Sequence, residues 1–320
     1  MIRFATIGTN FITEYFLDAA KRVDDFELRG IYSRSAVRAE EFAVRFGAGT
    51  TYHSLQAITD DTYVDAVYIA SPNAYHKEQV LKMLQCGKHV LVEKPAATNA
   101  ADYEQMRRTA CEKNLVLLEG MRPLFTPGFA QIEALLPQLG KIRRVTLCYC
   151  QYSSRYDAFL AGEIKNAFNP ELGNSALLDL GVYCVEVLIK LFGVPTKVQN
   201  QNIYLNNGFL GAGTILAMYD DMLAEILYSK LNDSDRGSEI QGEKGSLYID
   251  DICNPSRLIL KLRSGEPLTV EVDTEFFGMR FELEAFIRMV SGRKDYLPYC
   301  ENTLNSLRIM DLAAGKVTIN

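Results

Sequence analysis

Three titratable side chains stand in segments that are otherwise apolar. Lys94 follows a short apolar run and precedes Pro95, which restricts the lysine to extended backbone geometry and helps to fix its direction. Asp179 and Tyr183 are four residues apart in an apolar helical run, so they are predicted to share one helix face. A carboxylate and a phenol on a buried helix need polar partners, and an active-site cleft would supply them. The alternatives are a surface lysine before a turn and a satisfied buried polar pair.

A candidate phosphate-binding loop, Ile7-Gly8-Thr9-Asn10-Phe11-Ile12-Thr13, lies between the first predicted strand and the first predicted helix. Of the dinucleotide pattern G-x-G-x-x-G only the first glycine is present, because Asn10 and Thr13 replace the other two. Gly8 permits the tight turn, asparagine tolerates unusual backbone angles, and a helix N-terminus offers N–H groups to a pyrophosphate. A plain strand–helix turn is the alternative. The residues predicted to contact a dinucleotide here are Gly8, Thr9, Asn10, Phe11 and Ile12.

The choice of dinucleotide depends on the end of the second predicted strand, Tyr32-Ser33-Arg34-Ser35. NAD would favour an acidic residue there to bind its ribose 2′-hydroxyl, and this segment contains no carboxylate. Arg34 can pair with the 2′-phosphate of NADP, Ser33 can donate a hydrogen bond to it, and Arg38 lies one helical turn further on. NADP is therefore predicted, with NAD as the alternative cofactor. For Arg34 a solvated loop arginine is the alternative interpretation.

Two more loops follow predicted parallel strands, and ligands of doubly wound sheets bind beyond the carboxyl ends of such strands. One loop follows the apolar run Val64–Ala70, and the other follows His89–Val92. His76 could equally cap or line the helix that it begins. The residues predicted to lie at this edge are Ser71, Asn73, His76, Glu93 and Lys94.

The order of predicted elements indicates two domains. Over residues 1–122, strand-like and helix-like runs alternate, which predicts βαβ units and an α/β Rossmann domain with a parallel sheet. Over residues 123–320, long strand-like runs, an inserted helix Ala176–Leu191 and two closing helices predict an α+β domain. Its sheet is expected to be large, open and mostly antiparallel, because short turns join successive strands. A bare sheet face needs cover, so we expect self-association through it.

Composition restricts the classes of partner and compartment. The 320 residues carry a net charge of −6 and no basic stretch longer than a pair, so nucleic acid is not expected to bind. The chain has no run of about 20 apolar residues and no cationic leader, which predicts neither a membrane span nor a signal peptide. Seven cysteines without a Cys-x-x-Cys pair indicate buried, inert thiols in a reducing, cytoplasmic compartment. Three unclustered histidines predict no metal site.

Taken together, these segments resemble the Gfo/Idh/MocA family of glucose–fructose oxidoreductases and inositol dehydrogenases, over nearly the whole chain. Tyr183, where many members have histidine, is similar to the branch of dihydrodiol and NADP-linked xylose dehydrogenases. Leu124 stands where that branch has an arginine, and Arg122 lies two residues earlier, so substrate recognition is expected to differ. The segments that carry the resemblance are Ala5-Thr6-Ile7-Gly8, Ser71-Pro72-Asn73-Ala74-Tyr75-His76, Glu93-Lys94-Pro95, Gly173 through Tyr183, and Ile240-Gln241-Gly242-Glu243-Lys244-Gly245.

The resemblance implies an NADP-preferring oxidoreductase that interconverts a secondary alcohol and a carbonyl on a sugar, polyol or diol by hydride transfer. Lys94 would lie beside nicotinamide and substrate, Tyr183 would exchange the proton, and Asp179 would orient Lys94 or bind a substrate hydroxyl. A free phenol has a pKa of about 10, which the Lys94 cation is expected to lower. The C-terminal sheet would form a homodimer or tetramer. A non-catalytic dinucleotide-binding sensor and an NAD-dependent glycosidase of the same family are the alternatives.

Overall fold

The computed structural model describes residues 1–274 and 278–315. The chain divides into two units, Met1–Gly120 with Phe277–Leu304 and Met121–Phe276 with Asn305–Asn320. The sequence analysis placed the boundary at residue 122 and assigned all that follows to the second domain. The structure differs for the segment that contains the helix Met279–Val290, because Phe286 packs against Phe4 of the first unit, with ring centroids 5.7 Å apart.

The regular elements are numbered in chain order. In the described residues the α-helices are α1 Phe11–Ala20, α2 Ala36–Phe46, α3 Leu55–Asp60, α4 His76–Gln85, α5 Ala100–Glu112, α6 Pro127–Leu135, α7 Tyr156–Leu160, α8 Val182–Phe192, α9 Met279–Val290 and α10 Leu297–Ala313. The β-strands are β1 Ile2–Ile7, β2 Phe26–Tyr32, β3 Thr50–Tyr52, β4 Ala66–Ile69, β5 His89–Glu93, β6 Leu117–Gly120, β7 Ile142–Cys150, β8 Lys197–Tyr204, β9 Leu210–Met218, β10 Leu223–Ser229, β11 Ser238–Gly242, β12 Gly245–Ile249, β13 Arg257–Leu262 and β14 Leu268–Glu271.

The first unit contains a parallel six-stranded sheet in the order β3-β2-β1-β4-β5-β6. All four residues of β4 are buried, as expected for a parallel strand with helices on both faces. The strand order reverses direction between β1 and β4, and such a reversal opens a crevice at the carboxyl ends of the strands. The predicted Rossmann architecture is confirmed, and the loops after β1, β2, β4 and β5 all leave the same edge of the sheet.

Aromatic side chains form the centre of the first unit. The rings of Phe16 on α1 and Tyr68 on β4 are stacked 3.7 Å apart, and Phe4 on β1 lies 6.3 Å from Phe16. All three side chains are fully buried. Helix α1 is therefore packed firmly against β1 and β4. This packing fixes the N-terminus of α1 at the carboxyl ends of these strands.

The second unit contains an eight-stranded sheet in the order β14-β13-β12-β11-β7-β10-β9-β8. Its strand pairs are antiparallel except for β7 with β10, which confirms the predicted mostly antiparallel sheet. Residues 182–189 of α8 are all buried. The helix run predicted from residue 176 begins with a π turn, Leu177–Gly181, in which Val182 N–H donates to the carbonyl of Leu177.

Candidate active site

The turn after β1 is shaped by Gly8 and Asn10. Gly8 has a φ of +115°, and a Cβ atom there would lie 2.6 Å from the carbonyl oxygen of Ala70 at the end of β4. Asn10 caps α1, because its Oδ1 accepts from the N–H groups of Ile12 and Thr13 at 3.0 and 3.2 Å. Its Nδ2 donates to the Ala70 carbonyl at 2.7 Å. The Asn10 side chain thus makes hydrogen bonds across the turn that a glycine could not make. Thr9, Phe11 and the start of α1 lie at the carboxyl edge of the sheet.

The side chains predicted to recognise NADP converge on this turn. Arg38 Nη2 donates to the carbonyl of Thr9 at 2.8 Å, and Thr9 Oγ1 donates to Ser33 Oγ at 3.0 Å. The Arg34 guanidinium carbon lies 5.8 Å from the centre of the Tyr75 ring, in the loop after β4. Two guanidinium groups and two hydroxyls therefore surround the tip of β2. Such donors suit a phosphate better than a ribose hydroxyl.

The loop after β4 is organised by His76. The ring is fully buried, with Nδ1 2.9 Å from the Pro95 carbonyl oxygen and Nε2 2.8 Å from that of Ser71. Burial lowers the pKa of His76, although both carbonyls oppose this effect. These contacts favour the alternative that His76 lines its helix, and the ring also joins the loops that contain Ser71 and Pro95. Ser71 Oγ donates to Gln79 Oε1 at 2.7 Å, while Asn73 begins a short 3₁₀ turn.

Carboxylates on two neighbouring strands hold the loop that contains Lys94. Glu93 is buried, and its Oε1 accepts from Tyr68 Oη at 2.6 Å. Glu119 on β6 is also buried, and its Oε1 accepts from the N–H of Ala96 at 2.7 Å. The residues before and after Lys94 are thus fixed, whereas Lys94 itself is half-buried at the carboxyl edge of the sheet. Glu93 acts through the placement of this loop, and a dinucleotide contact for it stays a prediction.

In the second unit, Asp179 pairs with a lysine that the sequence analysis did not select. Lys230 Nζ lies 2.5 Å from Asp179 Oδ2, and its side chain is 9% exposed against 37% for Asp179. The Lys230 ammonium also lies 5.5 Å from the centre of the Phe168 ring. Because Asp179 lies inside the π turn, its angle to Tyr183 differs from that of an α-helical pair four residues apart.

Tyr183 belongs to a group of polar side chains at one end of β7. Its ring lies 5.6 Å from that of Tyr149, and the guanidinium carbon of Arg122 lies 5.8 Å from its centre. Tyr183 is 6% exposed. Burial raises the pKa of Tyr149 far above its ordinary value, so Tyr149 is a neutral phenol at physiological pH. Arg122 Nη2 also donates to Cys253 Sγ at 3.0 Å.

A carboxyl group completes this group of side chains. Burial raises the pKa of Asp251, while the N–H of Cys253, which donates to Asp251 Oδ1 at 2.7 Å, and the Arg122 cation oppose the rise. The Arg122 guanidinium therefore lies over the Tyr183 ring and also partly offsets the effect of burial on the Asp251 carboxyl.

Sequence reasoning missed Lys230, Tyr149, Gln79 and Asp251. Lys230 had a usable signal, because it is a lysine at the end of the apolar strand run Leu223–Leu231 and a buried ammonium requires a partner. The others are single polar residues whose partners lie far away in the sequence, so no local pattern marks them.

No α-helix in the described part of the chain combines the length and apolarity needed to cross a bilayer. The cytoplasmic location stays a prediction.

Two family models match the chain. Residues 2–121 match the GFO/IDH/MocA model described as an oxidoreductase family with an NAD-binding Rossmann fold, and residues 135–248 match the GFO/IDH/MocA C-terminal domain. The scyllo-inositol 2-dehydrogenase (NADP(+)) IolU of Bacillus subtilis is 42% identical over 323 residues, spanning 100% of this chain and 98% of that protein. A trans-1,2-dihydrobenzene-1,2-diol dehydrogenase of Xenopus tropicalis is 27% identical over 74% of this chain and 71% of its own length.

A solved structure shares the fold. The 3-ketoreductase KijD10 of Actinomadura kijaniata, in complex with NADP and TDP-benzene, superposes with a TM-score of 0.86 and 23% identity. The match covers 98% of this chain and 97% of that one. At this identity the likeness establishes the architecture of the chain and leaves its chemistry to the side chains.

Proposed function

The chain belongs to the Gfo/Idh/MocA family of oxidoreductases, and we propose that it is an NADP-preferring dehydrogenase of a sugar, polyol or diol. The reaction interconverts a secondary alcohol and a carbonyl. The 42% identity over the full length with an NADP-dependent inositol dehydrogenase carries this proposal. When bound, the nicotinamide supplies or accepts the hydride.

NADP preference is supported by the tip of β2. Arg34 and Arg38 provide cations, Ser33 provides a hydroxyl, and the segment 32–35 has no carboxylate to bind a ribose 2′-hydroxyl. Gly8 fits a dinucleotide because a side chain there would collide with the end of β4. Asn10 uses two amides of α1 for its cap, so the pyrophosphate would rely on the remaining N–H groups of Thr9, Asn10 and Phe11.

We assign proton transfer to Tyr183 and, as the family resemblance implies, substrate binding to Lys94 and Asp179. Tyr183 would take the proton of the substrate hydroxyl in oxidation and return it in reduction. Lys94, on a loop fixed by Glu93 and Glu119, would hold the substrate oxygen. Asp179 is oriented by its ion pair with Lys230, so it would accept a hydrogen bond from a second substrate hydroxyl. This arrangement predicts substrates with at least two neighbouring oxygens.

The test is reduction of NADP+ and of NAD+, followed by absorbance, with inositols, aldoses and diols as substrates. We expect NADP+ to be preferred and at least one polyol to be oxidised. Lys94→Ala and Tyr183→Phe should each lower turnover by about 10²-fold or more, because each removes a group that acts only on the reacting oxygen. NADPH binding, followed by fluorescence, should be unchanged in Tyr183→Phe.

Matched controls are Lys113→Ala and Tyr204→Phe, both at exposed positions, which should behave as wild type. Near-normal turnover in either site variant would remove that residue from the mechanism. NADPH binding without oxidation of any substrate would favour the sensor. Copurified NAD with no net turnover would favour the glycosidase.

A further inference from the structure

Two cysteines lie side by side on the central strand of the second sheet. Cys148 and Cys150 are two residues apart on β7, and their Sγ atoms are 3.8 Å apart. Both are free thiols and both are half-buried. Neighbouring residues of a strand point to opposite faces. Tyr149, between the two cysteines, therefore lies on the face of β7 that meets Tyr183, and the thiols lie on the other face.

The surroundings of the pair distinguish one thiol from the other. The hydrogen bond from the Cys150 thiol lowers the pKa of Cys148 to about 6, and Ser234 and the Arg236 cation act in the same direction against burial. The pKa of Cys150 is raised, first by the same hydrogen bond and then by burial. Glu225 on this face pairs with Arg144 at 3.0 Å and with Arg236 at 3.8 Å. Glu239 on β11, opposite Thr146, is a further charged group there. The surroundings therefore favour the thiolate at Cys148 and the protonated thiol at Cys150.

We propose that Cys148 and Cys150 form a second reactive site, a dithiol that reduces peroxides and becomes a disulfide. The Cys148 thiolate attacks one oxygen of hydrogen peroxide, the O–O bond breaks, and the other oxygen leaves as hydroxide and is protonated to water. Cys148 is then a sulfenic acid, oxidised by two electrons. The Cys150 sulfur attacks the Cys148 sulfur, the S–O bond breaks, and the hydroxyl leaves with the Cys150 proton as water. One peroxide is reduced to two waters for each disulfide.

The strand sets the geometry of this disulfide. Residues two apart on a strand have Cα atoms about 6.6 Å apart, and disulfides occur at Cα separations up to about 6.8 Å. To form the disulfide, the two Sγ atoms must therefore approach each other by rotation of the side chains. The Cα separation is already close to the upper limit for a disulfide. A disulfide near this limit is more easily reduced than a relaxed one, so a thiol reductant should reopen it.

The disulfide would lie on the face of β7 opposite to the Tyr149 side chain. Any tightening of β7 between the two cysteines moves Tyr149, whose ring packs against that of Tyr183. Oxidation is therefore expected to lower turnover, and this consequence rests on the proposed function. Formation of the disulfide does not depend on it.

The experiment uses the full chain in its native state at pH 7. Brief treatment with N-ethylmaleimide followed by peptide mass spectrometry should label Cys148 faster than Cys86, an exposed cysteine with no second thiol beside it. In a separate, unlabelled sample, one equivalent of hydrogen peroxide added before N-ethylmaleimide should prevent labelling of both cysteines in the peptide containing Cys148 and Cys150, and should lower the mass of that peptide by two hydrogens. Reduction with dithiothreitol after the peroxide should allow both cysteines to be labelled again.

Single variants separate the two steps. In Cys150→Ser, peroxide should leave Cys148 as a sulfenic acid that dimedone traps, and no disulfide forms. In Cys148→Ser, the peroxide reactivity of residue 150 should fall at least tenfold. The proposal is overturned if Cys86 is consumed first, or if wild-type Cys148 accumulates sulfenic or sulfinic acid without a disulfide. It is also overturned if neither thiol is labelled until urea is added, as when a second copy of the chain covers this face. An inactive protein with an intact disulfide reaction would count against the proposed function only.

Discussion

Tyr183 has a guanidinium group on one side of its ring and a neutral phenol, Tyr149, on another. A cation near a phenol stabilises the phenolate, and the effect is strong where the ring is shielded from water. Tyr183 is 6% exposed, so Arg122 acts on it in surroundings of low polarity. The resemblance assigned this electrostatic role to Lys94. We therefore expect Arg122 to act as a positioning residue for Tyr183, whereas the sequence analysis connected it only with altered substrate recognition.

Replacement of Arg122 by glutamine should move the pH dependence of alcohol oxidation. Loss of the cation makes the phenolate harder to form, so the midpoint of the rising limb of kcat against pH should increase. At pH 7 the turnover should therefore fall. The measurement is kcat as a function of pH with NADP+ and the best substrate.

Arg122→Lys is the matched control, because it keeps the charge but loses the planar guanidinium. It should shift the midpoint less than the glutamine variant does. If both variants lose the same activity and neither moves the midpoint, Arg122 has a packing role only and the electrostatic interpretation is wrong.

At the scale of elements, the turns between strands and helices determine where the backbone of the candidate site lies. Gly8 joins β1 to α1 with a φ of +115°, and its backbone passes so close to β4 that a Cβ atom would lie 2.6 Å from a carbonyl oxygen. Gly47 ends α2 with a φ of +72°, but nothing lies within 4 Å of a Cβ atom there. Both positions disfavour a side chain by their backbone angles, and only the first adds a collision with the backbone of another strand.

Gly8→Ala should therefore destabilise the chain more than Gly47→Ala does. Backbone strain and the collision together should cost about 2–4 kcal/mol in the first variant, and strain alone about 1 kcal/mol in the second. Urea unfolding followed by circular dichroism gives both values. Equal losses in the two variants would show that β4 moves aside at little cost and that the close approach is unimportant.

Local signals explain which elements the sequence could predict. The sequence predicts a helix over residues 36–46, and α2 has these bounds because Ser35 caps its start and Gly47 ends it. It also predicts Asn99 as a helix cap, and the Asn99 side chain accepts from the N–H of Asp102. Strand β3, with three residues, was missed because it is shorter than any alternation that a pattern can show.

Other features depend on contacts that no local pattern contains. The π turn at Leu177–Gly181 was read as ordinary helix, because hydrophobic spacing does not reveal a shift in backbone hydrogen bonding. Lys230 and Asp179 form an ion pair although they are 51 residues apart in the sequence. The apolar face of α9 predicts a packed helix, but its sequence does not indicate which of the two sheets the helix packs against. The dithiol was missed for a similar reason, since cysteines in apolar runs were expected to be buried and inert.

At the scale of the whole molecule, the response of stability to acid depends on carboxylates whose pKa differs between the folded and unfolded states. Most ion pairs of the described residues are exposed and contribute little to stability. The pair of Arg3 and Asp65 differs, because Arg3 donates from Nε and Nη2 to both carboxylate oxygens at 2.8 and 2.7 Å and from its backbone N–H at 2.9 Å. The Arg3 side chain is the main reason why the pKa of Asp65 is lowered.

The sign of the pH dependence follows from this lowered value. The carboxylate contributes its full stability above its unfolded pKa of about 3.9, and the contribution is lost as the pH falls through the lower folded value. Asp65→Asn should therefore lower the urea midpoint at pH 7 by roughly a few tenths of a molar. The difference from wild type should shrink steadily below about pH 4. Asp18→Asn, which removes an exposed partner of Lys21, should change the midpoint little at either pH. An Asp65→Asn difference of the same size at pH 3 and pH 7 would mean that the asparagine disturbs packing and that the charge is irrelevant.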